Sequence, residues 1–166
     1  MVSAVLERAW HELEQIPDPE IPAISVVDLG IIGDVRENGD ALVVDLLPTF
    51  IGCPAIDVMR QQIGERLSAL DLAPRVEVRI TFDPPWTSER ISERGRERLR
   101  ASGFAPPVAA PSGHDGLDEL AVLPIAECPY CGSRNTTLEN TFGTTLCRAI
   151  YHCADCRQPF EQFKRI

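Results

Sequence analysis

Histidine is scarce in this sequence, with three in 166 residues. His11 falls among the polar residues of a helical stretch, His114 in a segment rich in proline and glycine, and His152 beside Cys153. None has partners at catalytic spacing, which leaves a Ser-His-Asp or Cys-His hydrolase without support. Glu-x-x-His pairs of the kind that build di-iron sites are missing, and so is a glycine-rich dinucleotide loop, which argues against an oxygenase. Bases are outnumbered, 16 Lys and Arg against 25 Asp and Glu. The imbalance is uneven, with a net charge of −7 over residues 1–100, −3 over 101–124 and +1 over 125–166. The acidic part repels nucleic acid at long range, and the end is too weakly basic to supply phosphate affinity, so no nucleic-acid partner is expected. No apolar run is long enough to span a bilayer, and no membrane partner is expected either. The start has Glu7 and Arg8 inside it and lacks a basic end followed by an apolar core, so no secretory leader is read and the expected location is cytoplasmic.

Cysteine is what the sequence does have. Of six, four form two tight pairs, Cys128-Pro129-Tyr130-Cys131 and Cys153-Ala154-Asp155-Cys156. Two residues between cysteines let both sulfurs of a pair meet one ion, and two such knuckles supply the four thiolates of a tetrahedral zinc site. A tail of this size buries too little apolar surface to fold without a metal. In a reducing compartment the pairs read as metal ligands rather than disulfides. Zinc is preferred over iron because only the first knuckle has glycine, Gly132, after its second cysteine. Cys147 could replace Cys153 as a ligand, but the Cys153/Cys156 pair has the better spacing, and Cys147 is taken as a core residue of the ribbon.

Hydrophobic periodicity orders the rest. Val5, Ala9, Leu13 and Ile16 predict an amphipathic helix over residues 3–15, broken by Pro17, Pro19 and Pro22. Strands are expected over 31–36 and 41–47, joined by Glu37-Asn38-Gly39-Asp40, in which Asn-Gly would occupy the centre of the turn. Ile56, Met59, Ile63, Leu67 and Leu70 define a second helix, and residues 75–82 alternate as a third strand. A third helix is expected over 89–101, its five arginines and three glutamates forming a solvated face. Residues 103–124 hold four prolines and three glycines and read as a linker. The predicted class is therefore α+β, a small α-β-β-α-β-α domain over 1–102 followed by a four-cysteine zinc ribbon over 125–166.

Two further places could carry chemistry. Cys53 follows Gly52, which permits an unusual backbone angle, and precedes Pro54, which suits the first position of a helix. A thiol at a helix N-terminus can drop from about 8.5 to roughly 3.5–7.5 and so bind iron or a cluster or act as a nucleophile. The competing reading is a buried free cysteine that serves as a small hydrophobe. In Asp18-Pro19-Glu20-Ile21-Pro22, three prolines counting Pro17 hold two carboxylates on a stiff loop. They could act as acid and base or as hard ligands, but loop hydrogen bonding is the preferred reading.

Taken together, these segments are familiar. Asp18-Pro19-Glu20-Ile21-Pro22, Val26-Val27-Asp28-Leu29-Gly30 and Thr49 through Gly52-Cys53-Pro54 resemble the small domain of SufT-type iron–sulfur cluster assembly factors. With Asp83-Pro84-Pro85-Trp86-Thr87, the cysteine knuckles, Phe142-Gly143-Thr144-Thr145-Leu146-Cys147 and Pro159-Phe160-Glu161-Gln162-Phe163-Lys164, the whole resembles the PaaD family of phenylacetyl-CoA epoxidase systems in aerobic phenylacetate degradation. The resemblance implies a non-enzymatic accessory role. The partners it implies are a di-iron oxygenase and a reductase with flavin and an iron–sulfur cluster. Carried over, Cys53 would handle transient iron or a cluster, supported by the loop residues Asp18, Glu20, Thr49 and Gly52. Cys128, Cys131, Cys153 and Cys156 would hold structural zinc, and a cluster shared by Cys53 of two chains would make a homodimer. Two roles follow: maturation of the epoxidase's iron or iron–sulfur cofactors, or a stable non-catalytic component bridging reductase and oxygenase.

Overall fold

The computed structural model describes residues 3–50, 52–108 and 125–165, and the chain divides into two units, Met1–Arg98 and Leu99–Ile166. In the first unit, Ser3 caps α1 (Ala4–Leu13) by accepting a hydrogen bond from Val5 N at 3.2 Å. Ala9 and Leu13 form its buried face, and Ile16 continues that face into the following loop. β1 (Ile32–Asn38) and β2 (Ala41–Leu46) make an antiparallel hairpin, and β3 (Arg75–Ile80) lies parallel to β2. A parallel pair requires a crossover, and α2 (Ala55–Ser68) supplies it. The sheet order is β1-β2-β3, so β2 is central. Leu42, Val43, Val44 and Leu46 are accordingly buried on both of its faces. The exception in β2 is Asp45, which pairs with Arg36 across the hairpin.

Several expectations shift locally. Asn38 pairs with Ala41, so the turn centres on Gly39 and Asp40 rather than on Asn38 and Gly39. Gly39, at φ +61, alone takes the left-handed region, which a hairpin with glycine at its first central position needs. In α2 the buried stripe is Ala55, Met59, Ile63 and Leu67, with Ile56 and Leu70 only half-buried.

The third helix is shorter than expected. A 3₁₀ turn (Ser88–Arg90) comes first, then Ile91 turns extended at ψ 122, and α3 covers Glu93–Ala101. Ser92 explains the restart, because its Oγ accepts from Gly95 N at 2.9 Å. Arg94, Arg98 and Arg100 are exposed, as a solvated face requires, but the first two also hold a buried acid. Arg94 Nε donates to both oxygens of Asp28 at 2.9 and 3.0 Å, and Arg98 donates at 3.2 Å. Ser92 Oγ adds a third donor at 2.7 Å, and Ser92 N bonds Asp28 O at 2.9 Å. Arg90 donates to Gly30 O and Ile32 O at 2.9 and 3.2 Å, and Trp86 Nε1 to Leu29 O at 3.0 Å. Asp28-Leu29-Gly30 is thus the socket that receives the 83–98 segment. Gly30 is at φ +73, and a Cβ there would lie 2.3 Å from Arg90 O. Burial would raise the Asp28 carboxyl, but the bonds from Ser92 and Arg94 and the charges of Arg94 and Arg98 hold it below the usual range.

The second unit is a four-stranded sheet in the order β4-β7-β6-β5. β5 (Thr136–Asn140), β6 (Arg148–Cys153) and β7 (Pro159–Phe163) are antiparallel neighbours. β4 (Phe104–Ala105) lies parallel to β7, pairing with Glu161 and Gln162. Those two residues stand inside the expected linker, where a two-residue strand is too short to show periodicity. The rest of that linker from 109 to 124, with His114, lies outside the described residues. Among the described residues no helix is long and apolar enough to cross a membrane.

Candidate functional site

The ribbon brings four sulfurs together. Those of Cys128, Cys131, Cys153 and Cys156 all lie within 4.8 Å of one another, with Cys128–Cys156 and Cys131–Cys153 at 3.6 Å. Two matching knuckles hold them. Cys128 O accepts from Gly132 N at 2.9 Å, and Cys153 O from Arg157 N at 2.9 Å. Both fourth-following residues are left-handed, Gly132 at φ +73 and Arg157 at φ +60. The second knuckle therefore reaches the same backbone form without glycine, and the glycine count gives no ground for preferring zinc to iron. Asp155 ties the knuckles together, accepting from Ser133 Oγ at 2.5 Å and Asn135 Nδ2 at 2.9 Å.

The donor chemistry suits a dication. Burial pushes the Cys156 thiol up to about 12, while backbone amides of Cys156 and Asp155 help bring Cys153 down to about 7. Thiols in mutual contact cannot all ionise without a cation, and a divalent ion would let them. Zinc held by these four would supply a cross-link and leave no open position for chemistry. Cys147 stands outside the cluster, buried, with its sulfur 3.1 Å from Thr145 Oγ1.

Cys53 sits in the first unit, in the turn that leads from β2 to α2. Gly52 is at φ +81 with open space around it, so its glycine answers a backbone angle and no close contact. Cys53 N bonds Phe50 O at 3.3 Å, Ile56 N bonds Cys53 O at 3.2 Å, and Thr49 is half-buried ahead of the turn. The first helical residue is Ala55, and the amides of Ala55 and Ile56 reach the Cys53 sulfur. These amides pull the thiol down, as a helix N-terminus should. They are outweighed. Burial raises the Cys53 thiol most, and the carboxylates of Glu20 and then Asp18 raise it further. The expectation of a lowered thiol is thus reversed in direction.

The two carboxylates whose charges act on Cys53 belong to the acidic loop. Asp18 is buried, and its Oδ1 accepts from Glu20 N at 2.8 Å and Ile21 N at 2.7 Å. Asp18 N in turn donates to Ile24 O at 2.8 Å. Asp18 is committed to the loop's shape, while Glu20 is half-buried. Sequence reasoning misses the partners of Asp28. Their signal is the spacing of Arg94 and Arg98, which puts two guanidiniums on one face of α3 opposite a buried acid.

Residues 6–80 match the iron–sulfur cluster assembly protein family, and residues 114–164 match the PaaD zinc beta ribbon domain. A protein of Escherichia coli (strain K12), provisionally named as the D component of 1,2-phenylacetyl-CoA epoxidase, is 41% identical over 161 residues, covering 97% of this chain and 93% of the relative. The chain belongs to the PaaD family. An Fe-S protein maturation auxiliary factor of Bacillus subtilis (strain 168) is 32% identical over 100 residues, 60% of this chain and 97% of that protein. Among solved structures, a DUF59 domain of unknown function from Bacillus anthracis superimposes with a TM-score of 0.54 at 28% identity, covering 58% of this chain and 92% of that one. The chain thus joins a region of the iron–sulfur cluster assembly protein family to a PaaD zinc ribbon.

The electrostatics around Cys53 give a direct test. Removing the Glu20 charge lowers the thiol pKa, so more thiolate is present at any pH below it. Glu20→Gln is expected to speed iodoacetamide alkylation of Cys53 at pH 8 several-fold in metal-free protein, read by peptide mass spectrometry. An unchanged or slower rate would show that Glu20 does not govern the thiol.

Proposed function

We propose that this protein is a maturation factor that helps install iron or an iron–sulfur cluster into a component of the phenylacetyl-CoA epoxidase system, with Cys53 as the cargo-handling thiol and the ribbon as a structural zinc module. The observation that carries the reading is the half-buried Cys53 thiol beside the Glu20 and Asp18 carboxylates. In the absence of cargo burial favours the protonated sulfur, and the carboxylates of Glu20 and Asp18 add to it. An arriving iron cation reverses that balance, lowers the thiol pKa and releases the proton to solvent. The carboxylates that add to the effect of burial are themselves attractive to the cation. Few donors and partial exposure suit a cargo that must leave again, whereas a closed set of four thiolates suits a resident ion. The relatives named as maturation factors, and the epoxidase-component relative, supply the class of client.

The test is the iron and acid-labile sulfide content of the epoxidase components, isolated from cells with and without this protein. A component that is cofactor-poor in its absence supports maturation and identifies the client. Fully loaded but inactive components would instead favour the stable bridging role.

A further inference from the structure

The Phe142-Gly143-Thr144-Thr145-Leu146-Cys147 segment plays no part in holding metal. It links β5 to β6 at the end opposite Cys153, since β6 spans about 17 Å at 3.4 Å per residue. A two-residue turn would close such a hairpin. This loop is longer, and it is built on a buried pedestal. Arg148 is 6% exposed, pairs with Glu161 Oε2 at 2.8 Å, and lies over the Phe104 ring at 5.3 Å. Its Nε donates to Thr145 Oγ1 at 2.9 Å, and Glu161 Oε1 accepts from Thr144 N at 2.9 Å and Thr144 Oγ1 at 3.0 Å. Gly143 N bonds Arg148 O at 2.8 Å, and a Cβ on Gly143 would lie 2.8 Å from Glu161 Oε1. The loop's form is fixed.

That fixed loop holds two large apolar side chains outward. Phe142 is 59% exposed and Leu146 48% exposed. Lys164 stands between them, its Nζ 4.7 Å from the Phe142 ring centroid and 2.8 Å from Leu146 O. Because Arg148 and Glu161 neutralise one another, Lys164 leaves the knob cationic. Exposed apolar groups presented by a rigid loop, with a cation among them, are features of a protein-binding anchor.

We propose that the 141–147 loop is a docking knob, with Phe142 and Leu146 entering an apolar hollow on a partner protein whose rim carries carboxylates that meet Lys164. Complementarity to Lys164 fixes the sign of that rim. The proposal rests on the maturation reading for the identity of the partner, a component of the epoxidase system.

The experiment compares full-length zinc-loaded wild type with Phe142→Ser/Leu146→Ser and Lys164→Glu, titrated calorimetrically against purified reductase and purified oxygenase. Both changes fall on exposed or half-exposed side chains, and zinc content and circular dichroism verify the fold. One component is expected to bind the wild type, with at least a tenfold loss in the double variant. Lys164→Glu should lose several-fold and flatten the salt dependence. Wild-type affinity in the double variant, no binding of either component by the wild type, or a self-associated dimer that the double variant dissolves would each overturn the proposal. If docking proves independent of the loop while cofactor loading still requires the protein, the knob fails and the maturation reading stands. Cofactor loading that does not need the protein would instead remove the reading itself.

Discussion

Replacing Cys53 with serine is expected to leave the protein folded and zinc-loaded while the epoxidase components made alongside it remain as cofactor-poor as in cells without it. The fold should tolerate the change because the local structure is made by the backbone. Cys53 N to Phe50 O, Ile56 N to Cys53 O and the left-handed Gly52 are all independent of the sulfur. The side chain is only half-buried, so the loss of thiol packing should cost no more than about 1 kcal/mol. The function should not tolerate it, since a serine hydroxyl does not ionise near neutral pH and is a poor ligand for iron beside two carboxylates. The informative readout is the separation of three quantities: melting temperature and zinc per chain unchanged, client iron and acid-labile sulfide lost. Full client loading by the serine variant would remove Cys53 from the mechanism. A variant that melts many degrees lower would return it to the role of a core cysteine.

How much of this was legible beforehand depends on the range of the interactions. The cysteine knuckles were legible because two intervening residues bring two sulfurs to one point whatever the rest of the chain does. β2 was legible because a central strand covered on both faces has almost only apolar choices, and Leu42 to Leu46 show them. The charge state of Cys53 was not. Sequence reveals the helix start next to it, two residues away, but not the burial or the Glu20 and Asp18 carboxylates brought over from more than thirty residues upstream. The same reason hid the Asp28 socket. Its donors Ser92, Arg94 and Arg98 are 64, 66 and 70 residues distant, and charges on a helix read as solvated until a buried acid is placed opposite them. Arg157 shows a third kind of failure. A left-handed non-glycine residue is uncommon enough that the sequence argues against it, yet the knuckle's bonds, Cys153 N to Gln158 O and Arg157 N to Cys153 O, impose it.

Stripping the ribbon's metal with a strong chelator, or replacing Cys131 with serine, is expected to unfold the second unit and leave the first intact. The ribbon core shows why. Among the described residues its buried cluster is Ala105, Ala126, Ala149, Tyr151 and Phe160 together with Cys128 and Cys153, with Leu138 and Cys156 partly buried against it, so two of the seven buried members are themselves in the metal cluster. Tyr151 stacked on Phe160 at 5.8 Å is its main aromatic contact, and three of the others are alanines. A core of that size falls short of the conformational entropy it must offset. Structural zinc supplies an apparent 10–16 kcal/mol, about as much as a small domain's whole stability. The sequence provides its own reporters, with both tryptophans, Trp10 and Trp86, in the first unit and both tyrosines, Tyr130 and Tyr151, in the second. Chelation should therefore abolish the near-ultraviolet circular dichroism of tyrosine while tryptophan emission holds, and readdition of zinc should restore it. Acid should act in the same direction as the chelator, because the thiols, Cys156 at about 12 above all, reclaim their protons from the ion as pH falls. A tyrosine signal that survives complete zinc removal would show that the ribbon folds without metal. One iron per chain in protein purified without chelator would keep the cross-link argument and change the ion.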